Sequence, residues 1–261
     1  MTAAIGLPLL VAFLVYSGPQ LFAGLICLLS VIGLYELYAM GLPAERRPEV
    51  LCACAIGGLL AAGLLFCPAP GIGQGGVTAA LLLLSVLFLF RYRTLESVGR
   101  DLAIASFGLL YVPLLLSHAG LLRQLEHGRA WVFLVLTVVM ASDSLAYFVG
   151  MAVGKHRLYE AISPKKSIEG AIGGLAGGVI GVLIVRFVAL PQLGSLDVLV
   201  LGAGVGAFSQ IGDLVESMLK RSFGVKDSGT LFPGHGGLLD RLDSLLFAFP
   251  VTYYYAVWFV Q

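Results

Sequence analysis

The feature that most constrains this chain is a series of apolar stretches close to twenty residues long, the length at which a helix crosses the hydrocarbon core of a bilayer. "LFAGLICLLSVIGLYELYAM", "AWVFLVLTVVMASDSLAYFVG" and "GGLAGGVIGVLIVRFVAL" are three of them. With 59% hydrophobic and only 12% charged residues, the expected fold is all-α: a polytopic integral membrane protein of about nine transmembrane helices with a cytoplasm-facing polar cavity. The 34 glycines suit such a bundle, because small residues let helix backbones approach closely in lipid. Nine apolar runs are expected to span, at residues 3–17, 20–40, 50–68, 76–91, 101–121, 130–151, 170–190, 195–219 and 244–260. The first is short and contains Pro8, so a re-entrant segment is the alternative there. It lacks a basic leading segment and a convincing cleavage motif, so it is expected to be retained.

Positively charged loops stay on the cytoplasmic side. The loops after the second, fourth, sixth and eighth runs carry thirteen of the sixteen lysines and arginines, leaving only Arg123, Arg129 and Arg186 for the other face. This asymmetry places the N-terminus inside and the C-terminus outside, with the Tyr- and Trp-rich "TYYYAVWFVQ" at an interface. Cys27, Cys52, Cys54 and Cys67 lie in apolar runs without metal-ligand spacing, so they are read as small core hydrophobes. Nothing in the chain resembles a nucleic-acid-binding motif. Residues 1–130 are read as N-terminal helices and 131–261 as the half that carries chemistry, within one membrane unit.

Polar residues collect in two stretches of that second half. In "SDSLAYFVGMAVGKHRLYEAISPKKSIEGAIGG", Asp143 falls inside a span, where a charge costs about 2.5 to 3.5 kcal/mol and calls for a wet cavity or a partner. Asp143, Tyr147, Gly150 and Gly154 recur on one helical face. Ser163 is expected to cap the next helix with Pro164 at its first position, holding Lys165 and Lys166 at a helix N-terminus that favours anions. For these two lysines, simple cytoplasmic retention is the alternative.

The second stretch packs two basic residues, three aspartates and a histidine into "KDSGTLFPGHGGLLDRLDS", residues 226–244. Just upstream, Asp213, Glu216, Ser217 and Lys220 share a helical stripe. Asp240 and Asp243 are three apart, on one side of the next helix start. Glycines of "PGHGG" permit close backbone approach to a ligand. Acids beside cations would repel a phosphate unless a divalent ion lay between, and Mg2+ suits one or two carboxylates plus phosphate oxygens. Zinc lacks a second histidine or cysteine nearby.

"SMLKRSFGVKDSGTLFPGHGGLLDRLD", Ser217 to Asp243, resembles the signature of the phosphatidate cytidylyltransferase (CDP-diacylglycerol synthase) family, with its S-x-x-K-R, K-D, P-G-H-G-G and D-R-x-D blocks in order. "SDSLAYFVG" and "SPKKSIEGAIGG" resemble upstream blocks of that family, Ser167 standing where another version has threonine. The resemblance implies a Mg2+-dependent reaction in the bacterial inner membrane, at its cytoplasmic side. CTP and phosphatidic acid give CDP-diacylglycerol and pyrophosphate. It further implies a second, monovalent cation such as K+, and a homodimer. On that basis Asp213, Asp240 and Asp243 are the expected metal ligands. Lys220, Lys226 and Arg241 neutralise the triphosphate, and Asp227 joins this catalytic set with Lys226. His235 donates to phosphate rather than acting as a base. Asp143, Lys165, Lys166, Ser167, Ser217, Gly236 and Gly237 line the substrate site. Two rivals are a CTP-dependent polyprenol or lipid kinase, which would release CDP, and a cation-coupled transporter, whose acids would be spread through the membrane depth.

Overall fold

The computed structural model describes residues 11–67, 69, 71–91, 95–231, 234 and 236–260. It is almost wholly helical. In chain order the helices are α1 (Pro19–Gly41), α2 (Arg47–Phe66), α3 (Ile72–Arg91), α4 (Leu95–Leu109), α5 (Leu115–Gln124), α6 (Gly128–Val153), α7 (Ile168–Val188), α8 (Ser195–Ser222) and α9 (Leu239–Tyr255). Between α6 and α7 runs an antiparallel hairpin of β1 (Arg157–Tyr159) and β2 (Ser163–Ser167). The helices begin where local chemistry allows. Pro19 and Pro48 occupy first-turn positions of α1 and α2, where a missing N–H costs nothing.

Seven helical stretches among the described residues are long and apolar enough to cross a membrane, and they match the second to eighth runs of the sequence. α4 and α5 form one continuous 30-residue stretch. It is joined by a π-turn at Leu110–Leu114 that contains Pro113, whose ring cannot fit an unbroken α-helical ladder. The ninth run is a shorter helix, α9, extended by a π-turn at Ala256–Val260. Of the first run, residues 11–16 are helical, and Pro8 lies outside the described residues. The protein is an all-α polytopic membrane protein.

Glycines set how tightly the second half packs. α7 turns Gly173, Gly174, Gly177, Gly178 and Gly181 inward. A Cβ on Gly177 would strike the Ala141 carbonyl of α6, and one on Gly178 the Gly202 carbonyl of α8. α7 is thus wedged between α6 and α8 at backbone contact distance, the small-residue packing that membranes favour. A shared core built from Leu34, Leu109, Val112, Trp131, Val138, Val205 and Leu246 joins the two halves.

The expected cap at Ser163 is corrected by the structure. Ser163 to Ser167 is extended as β2, and α7 starts four residues later, with Ser167 Oγ accepting from Gly170 N at 3.1 Å. Glu169, in the first turn, accepts from the Lys155 and His156 amides and contacts His156 Nδ1 at 2.6 Å. That clamp ties the end of α6 to the start of α7 and leaves residues 163–167 extended between them. Lys165 and Lys166 therefore precede the helix instead of forming its first turn.

Candidate active site

At one end of the bundle a cavity of about 620 Å3 opens between α6, the hairpin, α7 and α8. Asp143 and Tyr147 of α6, Lys165 and Lys166 of β2, and Gln210 and Asp213 of α8 line it, together with Arg157 and Ser167. The helical face carrying Asp143, Tyr147 and Gly150 does turn to one cavity, while Gly154 ends the helix as its C-cap. Lys166 Nζ meets Asp213 Oδ2 at 2.6 Å, and both side chains keep about a third of their exposure, 29% and 31%. Ser217 Oγ donates to Asp213 Oδ1 at 3.3 Å, one turn along the predicted stripe. Gln210 is steadied by the Ala171 carbonyl.

A second polar knot lies where α8 meets the start of α9. Lys220 Nζ sits 2.5 Å from Glu216 Oε2 and 2.6 Å from Asp240 Oδ1. Glu216 is fully buried, and its Oε1 has no hydrogen-bond partner among the described residues. Asp240 Oδ2 accepts from Ser228 N at 2.9 Å, Ser228 Oγ at 2.9 Å and Gly237 N at 2.7 Å.

The expected trio of metal-binding aspartates is therefore not gathered. Among the described residues no three His, Cys, Asp or Glu side chains form a group able to hold a metal. The reason is competition: Lys166 holds Asp213, and Lys220 with three N–H and O–H donors holds Asp240. Asp243 is only partly buried and stands within electrostatic reach of Asp213 and Asp143. The acidic neighbourhood is thus Asp143, Asp213 and Asp243, with Asp240 set apart. One or two carboxylates of that neighbourhood plus substrate oxygens are the donor set a hard dication takes, and Arg157, Lys165 and Lys166 line the cavity beside Asp143 and Asp213.

The glycine turn has a different immediate purpose from the one expected. Gly234 and Gly236 adopt positive φ, and a Cβ on Gly236 would strike the Asp240 carboxylate. One on Gly237 would meet Ser228 Oγ and the Glu36 carboxylate. The close approach is to the protein's own acids. His235 lies outside the described residues. Lys226, Asp227 and Arg241 are exposed around the knot and do not line the cavity.

Glu36 is the residue that sequence reasoning missed. It lies on α1, nearly 200 residues from the knot, and accepts from Leu238 N, Leu239 N and Ser228 Oγ at 2.9, 2.8 and 3.0 Å. Its signal was a carboxylate inside an apolar run, which always calls for a partner.

Comparison with known proteins gives the family of the chain. The sequence model of the cytidylyltransferase family matches residues 1–259. A phosphatidate cytidylyltransferase of Bacillus subtilis is 34% identical over 253 residues, covering 93% of this chain and 91% of that protein. One of Staphylococcus saprophyticus is 33% identical over 249 residues, 93% and 94% of the two chains. One of Thermotoga maritima is 43% identical over 164 residues, 60% of each chain.

Proposed function

The chain belongs to the cytidylyltransferase family, and from that premise we propose that it is a phosphatidate cytidylyltransferase, joining CTP to phosphatidic acid to give CDP-diacylglycerol and pyrophosphate. The observation that carries this reading is the cavity itself. Lysines and carboxylates face one another across about 620 Å3 at the ends of membrane-crossing helices. A water-soluble nucleotide and a bilayer-bound phosphate can meet in such a place.

In the reaction a phosphate oxygen of phosphatidic acid attacks the α-phosphorus of CTP. The bond from that phosphorus to the bridging oxygen breaks, and pyrophosphate leaves. The nucleophile is already an anion, so no strong base is required, and the protein's task is orientation and charge neutralisation. Lys165, Lys166 and Arg157 line the cavity and receive phosphate oxygens there. Lys166 trades Asp213 for substrate. Lys220, gripped from two sides, is a fixed positive charge toward the triphosphate. Asp213 and Asp243 are the residues we assign to hold Mg2+, which supplies neutralisation of triphosphate oxygens. Asp240 orients Lys220 and the glycine turn instead. We read this end of the bundle as lying on the cytoplasmic side of a bacterial inner membrane, a reading that the basic loops support.

The purified protein in detergent, given phosphatidic acid, CTP labelled in the cytosine ring and graded Mg2+, tests the proposal. Labelled lipid with one pyrophosphate per turnover is the expected result. Release of CDP with an unlabelled, phosphorylated lipid would replace it with a CTP-dependent kinase.

A further inference from the structure

We infer that Glu36 is a positioning residue for the active site: from α1 it caps the first turn of α9 and so fixes where Asp240 and Asp243 stand. The inference rests on the nucleotidyl-transfer reading for its catalytic consequence, though not for its geometry.

α9 has no cap of its own. Its N-cap position is Leu238, and no side chain of the local sequence bonds its first amides. The opening N–H groups of a helix have no intrahelical acceptor, and burying them unpaired forfeits the hydrogen bonds they would make to water. Leu238 and Leu239 are both buried, so water does not serve them. Glu36, itself only 7% exposed, takes both amides, one on each carboxylate oxygen. Its negative charge also meets the positive end of the helix dipole.

The same carboxylate is joined to Asp240. Ser228 Oγ lies 3.0 Å from Glu36 Oε2 and 2.9 Å from Asp240 Oδ2. Gly229 and Gly237 lack side chains where a Cβ would collide with Glu36. Loop and helix start are therefore folded around this one side chain. Two backbone amides, and the single Ser228 hydroxyl proton shared with Asp240, converge on the two oxygens; a carboxylate accepts both amides, whereas Gln would aim its own NH2 at one of those N–H groups. Without Glu36, the Leu238 and Leu239 amides lose their acceptors, while the Asp240 amide keeps Ser228 Oγ at 3.3 Å, and Asp240 and Asp243 ride on that turn. A shift of about 1 Å in a reacting site can lower turnover about a hundredfold.

The test compares full-length wild type, Glu36→Gln and Glu36→Asp in detergent by two readouts. One is hydrogen–deuterium exchange of the segment 226–243. The other is steady-state CDP-diacylglycerol synthesis with kcat and the KM for CTP separated. For Glu36→Gln we expect amide exchange in that segment to be about 10-fold faster or more. We expect kcat to fall about 10- to 100-fold, with the KM for CTP within about 3-fold. Glu36→Asp keeps the charge one methylene short and falls between. If Glu36→Gln does not fold, the Asp variant carries both readouts. Exchange equal to wild type overturns the inference, as does fast exchange with unchanged kcat. If the wild type makes no CDP-diacylglycerol, the reaction assigned above fails, and the exchange readout alone decides the capping role.

Discussion

Two ion pairs join distant parts of this bundle, and they have opposite fates. In the first half Arg46 Nε meets Asp101 Oδ2 at 3.0 Å, with side-chain exposures of 3% and 1%. Arg46 also donates to the Arg91 carbonyl at 3.0 Å and lies over the Phe88 ring. In the second half Lys166 and Asp213 make a shorter contact, 2.6 Å, but keep 29% and 31% of their exposure and face the cavity. Both pairs neutralise charge near the ends of apolar helices. Only the second has room for a competitor. Solvent access, not the presence of paired charges, separates a fastening from a binding site: a sealed pair has no path by which either partner can change hands, whereas a half-open one can exchange its carboxylate for a phosphate.

The sealed pair should show the largest effect. Asp101→Asn leaves the Arg46 charge buried without its counter-ion, a loss of about 3 to 5 kcal/mol, read as a lowered thermal unfolding midpoint in detergent. Turnover per folded molecule should stay within about 2-fold. Reduced turnover at an unchanged midpoint would break the comparison. Next comes the open pair. Lys166→Ala should cut CDP-diacylglycerol synthesis about 100-fold, near 2.7 kcal/mol of transition-state stabilisation. Its unfolding midpoint should move by the equivalent of about 1 kcal/mol or less. Synthesis near the wild-type rate would show that Lys166 serves only Asp213.

The sequence made the spans legible because an apolar run of about twenty residues has few other stable states in lipid, and seven long helical stretches fall where such runs were read. The family resemblance, not spacing, grouped Asp143, Lys165, Lys166 and Asp213 in one site, and these four line one cavity. The start of α7 was misplaced because a hairpin with strands of three and five residues is too short to show an alternating pattern, while Ser-Pro imitates a helix start. Spacing put Asp240 and Asp243 on one side of α9, but spacing does not report which lysine claims which acid. Glu36 escaped for a more general reason. Two of its partners are the backbone amides of Leu238 and Leu239, and a main-chain donor leaves no mark in the sequence.

The smallest effect gives the sharpest form of the comparison, because it uses a single carboxylate. Asp101 has two basic neighbours: Arg46 on Oδ2, sealed, and Arg100 on Oδ1 at 3.4 Å, with the Arg100 side chain 66% exposed. The acid, the helix and the local field are common to both contacts, so they differ chiefly in burial and distance. An exposed pair gains little over water and is screened by salt, so Arg100→Ala should lower stability by no more than about 0.5 to 1 kcal/mol. That small shift should fade between about 0.05 and 0.5 M salt, whereas the Asp101→Asn shift persists because bulk ions do not reach a sealed pair. Unfolding midpoints of the two variants across that salt range make the measurement. A shift for Arg100→Ala as large and as salt-resistant as that for Asp101→Asn would mean that burial does not set the worth of these pairs, and the distinction between the fastened and the exchangeable pair would lose its basis.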